Sequence, residues 1–265
     1  MKREVLGIST VVATMILTSV LLVIVMSASF LANNALTGQV ENAEFDQAKD
    51  VMLALNNMVR DVMYKPSSSR YVKTGFRTTV PQLESTGENV SVWVQVSGEP
   101  REYLIQNNPI NIVKIQGGTM VDESNSDVVG TSSVLLTDSL ASLGHVYVER
   151  SGRAELVLDF ARARVIYTGN LTTFDEVYNV VEVAFVNMTL GTEQAHTRAV
   201  FIVRNLGISV SQFSYTGDLT IGVEGANDNN ASITLTELMS PYTPNNSTLV
   251  NLVVINVEVS LVGGT

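Results

Sequence analysis

Between Glu4 and Glu41 the chain carries no charged side chain, and the centre of that gap, Val11 to Phe30, is apolar or small almost throughout. A helix of about 20 such residues covers a ~30 Å hydrocarbon layer. Lys2 and Arg3 precede the stretch and Glu41, Glu44 and Asp46 follow it, which holds the basic end in the cytoplasm and sends the rest of the chain outside. The run is longer than the apolar core of a secretory signal peptide, although Ser27-Ala28-Ser29 has the form of a weak cleavage site.

The helical pattern does not stop where the apolar run does. Phe45, Ala48, Met52, Leu55, Val59 and Val62 step by three and four, and only a helix places them on one stripe. Glu44, Lys49, Asp50, Asn57, Arg60 and Asp61 occupy the opposite face, and no Pro occurs before Pro66. Gly38 is the one weak point, at a cost of about 1 kcal/mol relative to Ala. A continuous helix over residues 6–63 would be roughly 87 Å long at 1.5 Å per residue, far more than a bilayer needs. Its second half must therefore pack on protein, as a seam joining helix to head.

The order of residues at the start of this helix, Lys2-Arg3 and then Gly7-Ile8-Ser9-Thr10-Val11-Val12-Ala13-Thr14-Met15-Ile16-Leu17, resembles the N-terminus of archaeal type IV pilin-like proteins. That family includes adhesive pilins and, more distantly, archaellins. Thr10 stands where the family often has Pro, the basic pair lies four residues before Gly7, and Val12 replaces the signature Glu of bacterial pilins. The resemblance implies a class III signal segment at 1–7, recognised through Lys2, Arg3 and Gly7 and cut at Gly7–Ile8, so that the mature subunit begins at Ile8. It also implies a filament core built from the apolar half of helix 8–63, in particular Val11, Val12, Met15, Ile16, Leu17, Val20, Leu21, Val23, Ile24 and Phe30. A helix apolar on all sides is stable in lipid and equally stable among copies of itself, where small residues such as Thr14, Thr18, Ser19, Ser27 and Ala28 permit close approach.

After Pro66-Ser67-Ser68-Ser69 the period changes from 3.6 to 2. Val90, Val92, Val94 and Val96 alternate with Ser91, Trp93 and Gln95. Further strands are expected at 101–106, 110–116, 145–150, 154–160, 162–168, 178–190, 196–204, 207–216, 218–223, 231–238 and 249–261, with Ser151-Gly152 as a tight hairpin and Thr137–Leu143 as the one helical candidate. Short strands at this spacing indicate an antiparallel sandwich-type head over 64–265, in one or two units with a subdivision near 121–152. The last strand alternates cleanly, which predicts one wet face. Its length suits pairing within the chain and also augmentation of a neighbouring subunit.

Composition narrows the chemistry. Lys and Arg total 16 against 26 Asp and Glu, giving a formal charge of -10 that offers nothing to phosphates, so nucleic acid is not an expected partner. The absence of Cys and the presence of only His145 and His196 remove thiolate chemistry and disulfides and leave almost no means of building a His/Cys zinc site. No cofactor or metal site is expected. Asn227-Asp228-Asn229-Asn230 after Glu224, and Asp122, Glu123 and Asp127, read as solvated turns. His145 with Asp138 and Ser139 supplies the residue types of a hydrolase triad without any indication of its geometry. Sequons occur at Asn89, Asn170, Asn187, Asn230, Asn245 and Asn246, all on the side assigned to the exterior, where they are candidate N-glycosylation sites. The expectation is a non-enzymatic surface protein, membrane-inserted before it assembles into a homopolymeric filament whose head contacts other cells or solid surfaces. The alternative is a single-pass anchored protein whose β head binds an S-layer or another partner, as the stator proteins of the archaellum do.

Overall fold

The computed structural model describes residues 10–173, 176–194, 198–226, 229–240 and 244–263. Helix α1 (Thr10–Met63) runs 54 residues through Gly38 without interruption. It ends where Pro66 approaches; the Val62 carbonyl accepts from the Lys65 amide at 2.9 Å, and Asn205 donates its side-chain amide to the carbonyls of Val62 at 2.7 Å and Met63 at 3.0 Å, giving the helix end its partners.

Among the described residues thirteen strands follow: β1 (Ser69–Gly75), β2 (Val80–Val96), β3 (Glu102–Gln116), β4 (Ser126–Val129), β5 (Leu135–Leu136), β6 (His145–Ser151), β7 (Arg153–Asp159), β8 (Ala163–Thr172), β9 (Val177–Glu193), β10 (Arg198–Thr216), β11 (Leu219–Glu224), β12 (Asn230–Thr234) and, after the short helix α2 (Leu235–Met239), β13 (Ser247–Gly263). They form a six-stranded sheet, β1-β10-β13-β9-β8-β5, and a seven-stranded sheet, β12-β11-β2-β3-β7-β6-β4. The head is thus all-β, as the period-2 pattern indicates. Pairing is not wholly antiparallel: β13 lies parallel to β9, and β5 parallel to β8. Both sheets take strands from either side of residues 121–152, so the sheets do not divide the chain there.

The second half of α1 lies between the sheets, against β10, β1 and β13 on one side and β7 and β6 on the other. Phe45, Ala48, Met52, Leu55, Val59 and Val62 are all buried in one apolar cluster with Phe201, Val203, Ile255 and Val257 of the first sheet and Ile115, Leu156 and Leu158 of the second. A second cluster, of Val90, Val92, Val94, Val181, Val183, Phe185, Leu219, Ile221, Val250 and Leu252 among others, lacks the helix. Strands β9 and β13 serve both. In β13 the buried side chains are Val250 and Leu252 in one half and Ile255, Val257, Val259 and Leu261, of opposite parity, in the other. Buried residues of β13 alternate with half-buried ones, among them Asn251, Asn256 and Glu258, so its polar face is partly open to solvent, while Ser260 is buried beside its apolar neighbours.

Several local expectations are corrected. The segment 137–143 forms turns instead of a helix, with Asp138 accepting from the Leu140 amide at 2.8 Å. Residues 231–238 are strand only to Thr234, where a capping box with Glu237 starts α2. The segments 101–106 and 110–116 are one strand, and 207–216 continues the strand that holds Arg198–Arg204, with a bulge at Asn205/Gly207. β1 and the first half of β2 lie outside the strands expected from sequence, because Arg70, Lys73, Pro81 and Glu84 break the alternation.

Close packing along the seam leaves glycine as the one side chain that fits at two contacts. A Cβ at Gly117 would stand 2.8 Å from the Phe45 ring, and one at Gly144 would stand 2.0 Å from Asn56 Oδ1. Truncating Phe45→Ala should destabilise the head by about 3–5 kcal/mol, read as a lowered denaturant midpoint in the emission of Trp93, the one Trp in the chain. An unchanged midpoint would show that the seam does not hold the head.

Candidate functional site

Two stretches of α1 behave in opposite ways. Val11, Val12, Met15, Ile16, Leu17, Val20, Leu21, Val23, Ile24 and Phe30 are all exposed, from 47% at Val12 to 66% at Phe30, and the most apolar window of the helix, mean hydropathy 2.5, has no residue covered by the head. Three hydroxyls on this stretch are bonded within the helix, Thr14 to the Val11 carbonyl at 2.9 Å and Thr18 and Ser19 to the Thr14 and Met15 carbonyls at 2.8 Å each. Water therefore has little to bind there. An uncovered apolar surface on this scale exceeds what soluble monomers display and marks a face that lipid or protein must cover.

Four polar ties fix the direction in which this stretch leaves the head. The Glu41 carboxylate accepts from the Met120 amide at 2.5 Å. Glu44 accepts from the Thr78 amide at 2.7 Å, the Thr78 hydroxyl at 2.6 Å and the Arg77 amide. Partial burial raises the Glu44 pKa and these donors more than offset it, so the group lies below the usual Glu value. Lys49 bridges Asp46 at 3.1 Å and Glu123 at 2.7 Å, and Asn56 donates to Ser142 at 3.3 Å. Glu44 and Lys49 lie on the face opposite the apolar stripe, as the periodicity indicates, while the partners of Glu41, Glu44, Lys49 and Asn56 include loop atoms distant in sequence that no local pattern signals. Asp50, Asn57, Arg60 and Asp61 are exposed. Lys2, Arg3, Gly7 and Ile8 lie outside the described residues.

The sequons divide. Asn89, Asn170, Asn230 and Asn246 are exposed. Asn187 is half-buried on β9 with its amide nitrogen bonded to Asn256 at 2.8 Å, and Asn245 donates to Asn179 at 3.1 Å. Those two side chains are engaged in hydrogen bonds within the head.

His145 does not meet Asp138 and Ser139. It lies 2.7 Å from Asp127 and 3.7 Å from Asp159, stacked on Tyr147, while the Ser139 carbonyl accepts from Arg164 at 3.1 Å. The cluster lines a cleft of about 800 Å³. Its charge is acidic: Arg162 bonds Asp159 and the Thr131 carbonyl and Lys114 sits between Glu84 and Glu155, but Glu84, Glu88, Asp127, Glu149 and Asp159 all line the cleft against those two cations. Glu224 pairs with Arg101 at 2.5 Å, Asp122 with Arg150 at 2.7 Å, and no cluster of metal ligands occurs among the described residues. Asn227, Asp228 and His196 lie outside them. Trp93 is buried under the Arg101 guanidinium, 4.1 Å from its ring, and against Gly222.

Comparison with protein-family models, with characterised proteins and with solved structures gives no match, and the functional reading rests on the chain's own geometry.

Burial pushes the Asp159 carboxyl up, but the neighbouring His145 ring, the Arg162 charge and the Ala161 amide outweigh it and hold the group below the ordinary Asp value. A depressed carboxyl contributes stability that is present above its unfolded pKa, about 3.9, and is lost as pH falls through the folded value. The thermal midpoint should therefore drop on acidification below about pH 4, and Asp159→Asn should flatten that slope. An unaltered slope in the variant would remove Asp159 from the account.

Proposed function

We propose that this chain is the structural subunit of an extracellular type IV pilus-like filament, assembled through the apolar half of α1 and displaying the β head for adhesion or surface contact. The observation that carries the reading is the pairing of an entirely uncovered apolar helix with a head that grips the same helix over its next five turns. A membrane span alone needs about 20 residues and no rigid continuation. Here the continuation fixes each apolar rod relative to its head, so identical subunits whose rods pack together also place their heads in identical positions. Subunits leaving the bilayer would keep this surface dry only among copies of themselves, and that supplies the driving force. Lys2 and Arg3 support a cytoplasmic start and an external head, and the exposed Asn89, Asn170, Asn230 and Asn246 would be open to glycosylation there.

The same apolar window is long enough for a permanent anchor, which supports the second reading of a membrane-held surface protein whose head binds an S-layer or other partner. The basic end separates the two. Protein isolated from its native membrane and extracellular fractions should begin at Ile8 and appear as filaments by negative-stain microscopy. Intact Met1 in detergent-soluble particles would establish the anchor instead. In the filament reading Val20→Asp, which puts a charge costing about 2.5–3.5 kcal/mol at the centre of an apolar helix, should leave the head folded and abolish polymer. Filaments from that variant would defeat the model.

A further inference from the structure

The six-stranded sheet is unfinished at both ends. β1 covers β10 from Arg198 to Arg204, and beyond it the outer edge from Leu206 to Thr216 has no main-chain partner among the described residues. At the other end β5 covers β8 at Ala163 and Arg164, leaving the outer edge from Val165 to Thr172 in the same condition. Edge strands are ordinarily blunted by charge, Pro, shortness or cover, because unpaired amides and carbonyls invite another strand. The seven-stranded sheet follows that rule, ending in β12 of 5 residues and β4 of 4. The six-stranded sheet does not. Neither open stretch contains Asp, Glu, Lys, Arg or Pro, in a chain with 42 charged residues counted as 16 basic and 26 acidic. Leu206 and Val210 stand 57% and 66% exposed on the β10 side. Two irregularities touch the open stretches: the bulge at Asn205/Gly207, where the Gly207 amide donates to Asn205 Oδ1 at 2.7 Å, and that at Tyr167/Gly169, tied inward by Thr168 Oγ1 donating to the Val180 carbonyl at 3.1 Å.

The two edges also match in direction and height. β8 is antiparallel to β9, β9 parallel to β13, and β13 antiparallel to β10, so β8 and β10 run the same way. Along the ladders Ile166 faces Glu182, Glu182 faces Asn251, and Asn251 faces Gln212, which sets Ile166 level with Gln212 across the sheet. We propose that the occupant of each edge is a second copy of this chain: β10 of one head pairs in parallel with β8 of the next, continuing the sheet from subunit to subunit. The proposal rests on the filament reading, in which bundled helices all point the same way. Heads so oriented present β10 and β8 in parallel, whereas two-fold pairing of β10 with itself would require one subunit to be inverted. β5, at Ala163 and Arg164, is level with Ser209 and Val210, so the stretch open on both edges begins at Val165 on β8 and at Ser211 on β10.

Because the chain has no Cys, introduced pairs report this contact without background. Full-length protein carrying Gln212→Cys with Ile166→Cys, and Val210→Cys with Ile166→Cys for a shifted register, would be assembled and treated with a short bis-maleimide. The expected result is a ladder of covalent dimers, trimers and higher species from at least one double variant, and monomer only from each single variant. Dimers from Gln212→Cys alone would reveal two-fold pairing and overturn the proposal. Normal filaments without cross-links in either register would overturn the edge pairing and leave the filament reading standing. Failure of the unaltered protein to form filaments under native expression would remove both.

Discussion

The structure depends on one helix having to satisfy two solvents. Over residues 45–63 the apolar stripe of α1 is enclosed by strands of both sheets, and over the preceding apolar stretch nothing among the described residues covers it. Each buried Leu, Val, Phe or Met of the seam contributes about 1.5–3 kcal/mol by removal from water, so the head cannot release the helix without losing its first core. The uncovered half is a continuation of the same hydrogen-bonded rod and inherits its orientation from that core. Glu41, at the boundary, is the first charged residue after the gap and is already bonded to the head.

Strand geometry follows from this wedge. The helix occupies the space between the sheets along part of their length, and the second cluster closes without it. Strands β9 and β13 pass through both regions and bury opposite faces in each. The two strands run parallel at the sheet centre, in register from Ser247/Tyr178 to Val259/Leu190. This position removes β13 as a strand for a neighbour, since β10 and β9 take both its edges.

Much of this was legible before any coordinates. The charge gap between Glu4 and Glu41 marks the uncovered half, and the six-residue stripe marks the seam because period 3.6 has one reading when every apolar position agrees. The β head was legible from Val90–Val96 and the last strand for the corresponding reason with period 2. Where burial is two-sided the alternation carries less information: Val183, Ala184, Phe185 and Val186 are all buried, and their order does not say which core each faces. Strands of opposite character were equally hard to see. In β1, Arg70, Tyr71 and Lys73 are exposed, so its assignment comes from pairing with β10 and not from its own side chains. The polar ties of Glu44, Lys49 and Asn56 depend on loops that only the fold brings near.

The way the seam is laid out bears on mechanical load. The buried stripe lies along the axis of α1, and its polar ties are distributed from Glu41 to Asn205, beyond the last turn. A pull between the apolar rod and the head acts along that axis, so it loads the contacts in shear, all together, instead of peeling them one at a time. Resistance then scales with the whole length of the seam, and the weakest link under tension shifts away from the joint within a subunit to the contacts that one rod makes with whatever surrounds it.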